Sequence, residues 1–240
     1  MFQHLLSQTL SGFIPNHCIL CGEQIPSRAK PLCTPCRDAL PWLNRKCRYC
    51  SLPLPDTGPG GDYCGRCLRS PPPFDGSHCL FYYRHPLDKL ITRLKFNQQL
   101  ALGRLLAQLL TEYLRVHLRP GQFPDLIIPM PLHQSRLRMR GFNQAYELAR
   151  DCAKVFNIPI DHNACHRIKN TPPQLGLDAP TRRRNLRGAF RVNADLDGCT
   201  VAVVDDVMTT GSSMREISRE LRNTGARQVY LWCIARTEIE

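Results

Sequence analysis

An α/β domain with a mainly parallel sheet, preceded by a small cysteine-rich module that lacks an apolar core of its own, is the fold class this sequence predicts. Three observations carry that prediction. Eight of the thirteen cysteines fall into four Cys-x-x-Cys pairs between residues 18 and 67. From residue 74 onward, short apolar runs such as DLIIPM and VYLWCIA alternate with longer stretches of helical period, the pattern of buried strands separated by helices. Among them lies VAVVDDVMTTGSSM, residues 201–214, where a buried strand meets two acids and then a glycine among small hydroxyl residues.

A chain of 240 residues has room for one such domain and a small satellite. Its formal charge is +12, unevenly spread: residues 1–120 hold 15 basic and 7 acidic side chains (+8), residues 121–240 hold 17 and 13 (+4). The excess favours a polyanionic partner, nucleic acid or an acidic membrane face, although a solvated basic surface has the same composition and charge selects no ligand. No run approaches the roughly 18 apolar residues that cross a bilayer. The segment MFQHLLSQTLSGFIP also lacks the basic leader and small-residue cleavage site of a secretory signal. The expected compartment is the cytoplasm, where thiols stay free or bind metal instead of forming disulfides.

In chain order, residues 3–12 are modestly apolar and fit a short helix. The pairs Cys18/Cys21, Cys33/Cys36, Cys47/Cys50 and Cys64/Cys67 follow. Each pair can form a metal knuckle, and two knuckles supply the four thiolates of a tetrahedral site, so the eight cysteines make two sites. No position is left for water, which makes them structural instead of hydrolytic. Zinc suits them, with an iron centre as the chemical competitor. The spacing permits sequential pairing, the simpler scheme, and interleaved pairing alike. Leu20, Ile25, Leu32, Leu40, Trp42, Leu43 and Leu54 are too few for an independent core, so metal must hold the segment together. PDTGPGGD, residues 55–62, reads as a loop and Pro71–Pro73 as a boundary, giving a double ribbon over residues 1–73 and the α/β domain over 74–240.

CLFYYR, residues 79–84, has the aromatic content of a strand. Leu87, Leu90, Ile91 and Leu94 then fall at helical spacing behind Pro86, a residue suited to the first turn, and Lys95 closes that helix. A longer helix follows from Leu100 to before Pro120, with its leucines directed to the core. DLIIPM, residues 125–130, is the next buried strand and leads into PMPLHQSRLRMRGFNQA. Tyr146, Leu148, Ala149, Ala153 and Phe156 continue as a helix, and Ile158–Ile160 can start another strand. Residues 161–190 lack a period and read as a long loop of the kind often used in function, with Arg182, Arg183, Arg184 and Arg187 beside Asn185 able to meet a polyphosphate or a nucleic-acid backbone. His133, His162 and His166 read as surface or core residues, and Cys79 and Cys233 as buried strand residues.

The stretch at 201–214 carries the chemistry. Val201–Val204 form the strand, Asp205 and Asp206 end it, and a helix that Gly225 can close resumes beyond Thr209, Thr210, Gly211, Ser212 and Ser213. The opening turn of a helix presents unpaired N–H groups and a positive dipole end, which together hold a phosphate. Two acids beside a phosphate site serve better as acceptors for ligand hydroxyls, as an acid does on a ribose. Phosphate plus diol points to a ribose phosphate. The motif speaks for binding and names no general base.

These residues resemble the signature of type I phosphoribosyltransferases. The resemblance implies that Asp205 and Asp206, continuing through Val207 and Met208, bind the ribose of phosphoribosyl pyrophosphate while Thr209–Ser213 cradle its 5′-phosphate, with Mg2+ accompanying the ligand. It also implies that the loop after the strand ending at Met130 receives pyrophosphate. Arg136, Arg138 and Arg140 supply complementary charge there, Arg140 first because a glycine follows it; their spacing also fits a solvated edge. Purine-type members carry an acid where this chain has Thr209. Taken together, the four Cys-x-x-Cys pairs, PMPLHxxRxRxRGFNQA, RRRNLRGAF and VVDDVMTTGSSM are similar to the ComF family, and most of all to its GntX branch. That resemblance implies a double zinc ribbon with two structural zinc ions and a phosphoribosyltransferase-like domain. The implied role is in DNA uptake or in the use of extracellular DNA as a nutrient, in the cytoplasm and in contact with a membrane DNA-uptake machine. Two readings remain at this level: an adaptor that binds single-stranded DNA and a phosphoribosyl ligand, or an active transferase with an unidentified acceptor.

Overall fold

The structure, a computed structural model, describes residues 16–25, 31–55, 61–97, 99–170 and 185–238. The helix expected over residues 3–12 and Arg182, Arg183 and Arg184 lie outside these. The chain divides into two compact units, residues 1–40 and 41–240.

In the first unit, β1 (Asn16–His17) pairs antiparallel with β2 (Gln24–Ile25). The turn between them is the first knuckle. Gly22, at φ 77°, takes the left-handed conformation that only glycine adopts freely, donates its N–H to the Cys18 carbonyl at 2.8 Å, and so curls the chain back on Cys18. The second knuckle opens a one-turn helix, α1 (Thr34–Asp38), with Cys33 at the N-cap and proline in the first turn.

The second unit starts at Pro41 and contains the other cysteine quartet. There α2 (Gly65–Arg69) repeats the plan of α1, with Cys64 at its N-cap. The α/β elements follow: β3 (Gly76–Tyr82), α3 (Leu87–Asn97), α4 (Leu100–His117), β4 (Leu126–Pro129), α5 (Gln134–Arg140), α6 (Gln144–Phe156), β5 (Cys165–Arg167), β6 (Phe190–Val192), β7 (Thr200–Met208), α7 (Ser212–Asn223) and β8 (Gln228–Arg236). Four strands form one parallel sheet in the order β3-β8-β7-β4. Its two central strands are apolar and buried, Val201–Val204 in β7 and Leu231–Ala235 in β8. The strand does not stop at the acids. Asp205 stays in register with Cys233 and Val207 with Ala235, so β7 runs on to Met208 and the turn into α7 is reduced to three residues.

α4 packs on α6, and α6 on β4 and β7, whereas α7 packs on β6 and β8. One apolar cluster joins Val201, Val203, Leu231 and Cys233 of the sheet to Ile217 and Leu221 of α7 and to all four cysteines of the second quartet. Gly225 follows α7 at φ 95°, where a Cβ would come within 2.8 Å of the Asp197 Cα, so glycine is required to end that helix.

Both outer strands are covered by short pairings. Along β3, Leu43 N–H donates to the Leu80 carbonyl and Tyr82 N–H to the Pro41 carbonyl, each at 2.8 Å. Along β4, Ile127 N–H donates to Pro159 at 2.9 Å and Asp161 N–H to Ile127 at 3.0 Å. The strand expected at Ile158–Ile160 is thus a single bridge, Ile127 to Ile160. Two further stretches are more ordered than their sequence suggests. The proline-rich exit from β4 becomes α5, capped by His133. Within 161–190, the described residues near its start form β5, which pairs antiparallel with β6 at its far end, from Cys165–Val192 to Arg167–Phe190. Among the described residues, no helix is long and apolar enough to cross a membrane.

Candidate metal and ribose-phosphate sites

The eight cysteines gather as Cys18, Cys21, Cys33 and Cys36, and as Cys47, Cys50, Cys64 and Cys67, with all sulfurs in each group within 4.8 Å of one another. The first pair therefore meets the second, and the third meets the fourth. A tetrahedral zinc with Zn–S bonds of about 2.3 Å holds its sulfurs about 3.8 Å apart. The cross-knuckle distances Cys21–Cys33 and Cys50–Cys64 are both 3.7 Å, so the donor set has the spacing that zinc requires. One thiol of each quartet is already biased toward thiolate. The Cys50 thiol first holds Cys47 at about 4, and at Cys18 backbone N–H groups of Cys21, Cys33 and Leu20 outweigh burial and bring it to about 6.

At the carboxyl end of β7, the two acids differ. Burial and then the charge of Asp206 push Asp205 well above the usual carboxylate range. Burial acts on Asp206 as well, but the Lys95 ammonium, 2.5 Å from its Oδ2, overrides it and holds Asp206 low. Each carboxylate also accepts from the following N–H, Asp205 from Asp206 at 2.8 Å and Asp206 from Val207 at 2.9 Å. These local bonds fix the side chains without a partner strand.

Beyond Met208 the chain turns through exposed Thr209 and half-buried Thr210 to Gly211, whose φ of 75° starts α7. Gly211 is the N-cap and offers no side chain, so the first N–H groups of α7 depend on the Thr210 hydroxyl, which Ser212 N reaches only at 3.4 Å. Thr210 and Ser212 hydroxyls bond each other at 2.9 Å, and Ser213 stands beside them half-buried. The result is a concave group of donors at a positive helix end.

Cations converge on the acids from three other elements. Burial lowers Arg140 of α5 while Asp206 and Asp205 act to raise it, and Arg167 of β5 responds to burial, Arg136 and Asp205. Arg140 also donates to Gln144 and lies 5.6 Å from the Phe96 ring centroid. Arg138 instead turns to Gln134 at 3.2 Å. Met130, buried after β4, donates its N–H to Val204 at 2.8 Å, and its carbonyl accepts from Asn143 at 3.1 Å. Met130 after β4, Arg136 and Arg140 of α5 and the residues of β7–α7 thus meet in one place, whereas Arg138 does not join them. Lys95 and Arg167 join them without a sequence signal of their own.

Arg236, at the end of β8, was equally hidden in sequence. Fully buried, it donates Nε–H to the Cys50 carbonyl at 2.9 Å and Nη1–H to Met208 at 3.0 Å, to Thr237 at 2.8 Å and to Thr209. One guanidinium therefore ties the third knuckle to the turn that precedes α7.

Fold and site together define an α/β protein of the phosphoribosyltransferase class carrying a double zinc ribbon. Family models agree: a double zinc ribbon domain matches residues 9–68 and a phosphoribosyl transferase domain matches residues 143–238. DNA utilization protein YhgH of Escherichia coli O157:H7 is 36% identical over 226 residues, covering 93% of this chain and 98% of that protein. Competence protein F of Haemophilus influenzae (strain ATCC 51907 / DSM 11121 / KW20 / Rd) is 35% identical over 232 residues, covering 95% and 100%. The chain belongs to the ComF family, which these two proteins represent. Among solved structures, the purine phosphoribosyltransferase from Pyrococcus horikoshii Ot3 is a distant likeness, 20% identical with a TM-score of 0.35 over 55% of this chain and 70% of that one.

Proposed function

We propose that this chain serves the uptake or use of DNA, as the names of its relatives suggest, by binding phosphoribosyl pyrophosphate or a related ribose phosphate at residues 205–213 and single-stranded DNA through its basic surface. The observation that carries the first half is the pairing of buried Asp206 and half-buried Asp205 with an uncapped helix start, ringed by Lys95, Arg140 and Arg167. The acids take ribose hydroxyls, the N–H groups and hydroxyls of Thr209–Ser213 take the 5′-phosphate, and Arg140 faces the pyrophosphate, whose charge Mg2+ shares. Two zinc ions fill the cysteine quartets as closed structural sites. The reading implies a cytoplasmic protein.

Calorimetry with phosphoribosyl pyrophosphate tests the site. Asp206→Ala should weaken binding by on the order of 1.5–3 kcal/mol, the worth of a charge-assisted hydrogen bond; unchanged affinity means that the ligand sits elsewhere. The same protein, incubated with the ligand and a panel of bases or amines, releases pyrophosphate only if it is an active transferase. For single-stranded DNA, log affinity should fall with log salt at roughly −0.7 per phosphate neutralised, and replacing Arg45, Lys46 and Arg48 together should flatten that slope by about 2. An unaltered slope removes this part of the ribbon from the DNA surface.

A further inference from the structure

The second unit holds a cleft of about 660 Å³ at the end of the strands opposite the phosphate loop. Gly76 at the start of β3 lines it, and Gly76 registers with Tyr230 and Tyr230 with Ala202, near the start of β7. One wall comes from the segments around the third and fourth knuckles, with Trp42, Lys46 and Arg48 from the former and Tyr63 from the latter. The other comes from the end of α4, with His117 and Arg119. A volume in the range of about 300–1,000 Å³ suits a small organic ligand.

The charge of this cleft is unbalanced. Its two acids are already engaged: Asp62 pairs with Arg48 at 2.5 Å, and Asp75 pairs with Arg222 at 2.5 Å and accepts the Val229 N–H at 2.7 Å. Lys46 has no carboxylate among the described residues. Its ammonium donates to the Cys79 carbonyl and lies 4.5 Å from the Tyr113 ring centroid, which together leave its charge uncompensated. The Arg119 guanidinium likewise meets no acid among the described residues. Beneath them, burial and then the charges of Lys46 and His117 push His78 down to about 4, so the imidazole stays neutral and the cleft gains no further positive group. Flat surfaces stand beside the cations: Tyr63, 37% exposed, packs at a tilt on Tyr49 at 4.8 Å, His117 stacks on Tyr113 at 3.8 Å, and Trp42 meets Phe81 at 4.5 Å.

We infer that this cleft is a nucleotide site, in which Lys46 and Arg119 take the phosphate and Trp42 and Tyr63 take the base. Arginine and lysine supply the charge-assisted donors that a phosphate needs, and aromatic faces stack any base without selecting its sequence. The ligand is a free 5′-mononucleotide or the phosphorylated end of a single strand, two sources of one chemistry. The inference deepens the DNA reading above and rests on it, while being independent of the ribose-phosphate loop.

The test uses the full zinc-loaded chain, 5′-dTMP, a 3′-labelled oligodeoxythymidylate with a 5′-phosphate, and inorganic phosphate. dTMP should bind and should displace the oligonucleotide, whereas phosphate alone should compete far less well. Arg119→Glu, at an exposed position, should weaken both nucleotide ligands by about tenfold or more and leave phosphoribosyl pyrophosphate affinity unchanged. Lys46→Met should do the same, with that unchanged affinity as its proof of folding; should it fail to fold, Arg119→Glu decides. Asp206→Ala should show the reverse pattern. Oligonucleotide binding that dTMP does not displace would leave the DNA reading intact and overturn the cleft, as would phosphate competing as well as dTMP or affinity unaltered in Arg119→Glu. Absence of binding by both nucleotide ligands would overturn the two together. Displacement by dTMP with a phosphorylated end required on the oligonucleotide identifies strand ends as a source; dTMP binding with no oligonucleotide binding identifies the free nucleotide.

Discussion

The two cysteine quartets share a plan and differ in what surrounds them. Each combines a knuckle with a cysteine that caps a one-turn helix and a fourth cysteine in its first turn. In residues 1–40, Cys18 is buried, Cys21 is exposed and Cys33 and Cys36 are half-buried. In residues 41–240 all four sulfurs are buried within the cluster that also holds the sheet and α7, and the Cys50 carbonyl is held by Arg236. The same chemistry serves once as a local staple and once as part of a larger core. A metal site stabilises whatever its ligands are packed into, so equal motifs need not have equal consequences when broken.

The largest effect expected from that contrast follows the loss of zinc. Structural zinc in small peptides binds with an apparent 10–16 kcal/mol or so, comparable with the roughly 5–15 kcal/mol stability of a whole domain. Cys64→Ser should therefore abolish cooperative unfolding of the α/β domain, and with it the phosphoribosyl pyrophosphate binding proposed above. Cys36→Ser should lower the zinc content from two ions to one while the α/β transition, followed by circular dichroism, stays in place. Equal loss from both substitutions would show that the quartets are not energetically separate.

Arg236→Met asks for less and is more specific. It removes the donors to Cys50, Met208, Thr209 and Thr237 and takes from the carbonyl of buried Cys50 the bond that Nε supplies, an effect on the order of 3 kcal/mol in urea unfolding. Zinc content should remain two, and ligand affinity should fall because the turn before α7 loses its anchor. No loss of affinity would mean that this turn is held by α7 alone.

The smallest effects separate the two acids, and their signs are opposite. Asp205 is raised in the folded state, so its contribution is fully present below the unfolded value near 3.8 and is lost as pH rises through the folded value. Asp205→Asn should accordingly stabilise the protein at pH 7 and lose that advantage toward pH 3.8. Asp206 is lowered, so its contribution is present above 3.8 and is lost as pH falls through the folded value. Asp206→Asn should destabilise at pH 7, because Lys95 loses its counterion, and approach the parent in acid. Thermal unfolding of both variants across that pH range checks the pair.

Much of this was legible in the sequence, for reasons that are physical. Regular cysteine spacing has few solutions, and VAVV followed by DD and TTG has strand, paired acids and the turn into α7 in chain order. What the sequence hid depended on long-range placement. Lys95 reads as a solvated last-turn lysine until α3 is seen to bring it to Asp206. Arg236 reads as the polar end of an apolar run, and only the proximity of Cys50 makes its burial favourable. The three-residue strands β5 and β6 are too short for periodicity to register. The second quartet's membership of the α/β core stayed hidden as well: Leu43 and Leu54 count among the few apolar residues of the ribbon, and a count does not say which core they join.

The covered outer strands have a consequence for life at high concentration. An open parallel sheet ordinarily ends in two rows of free N–H and C=O groups that another chain can extend. Here the chain's own Pro41–Leu43 segment occupies the β3 side, and Pro159–Asp161 occupies the middle of the short β4 side. Each closure is brief, but β4 itself is only four residues long, so no long unpaired ladder is left on it as a template. The protein is thereby guarded against edge-to-edge aggregation by segments that also deliver the third knuckle and the approach to β5.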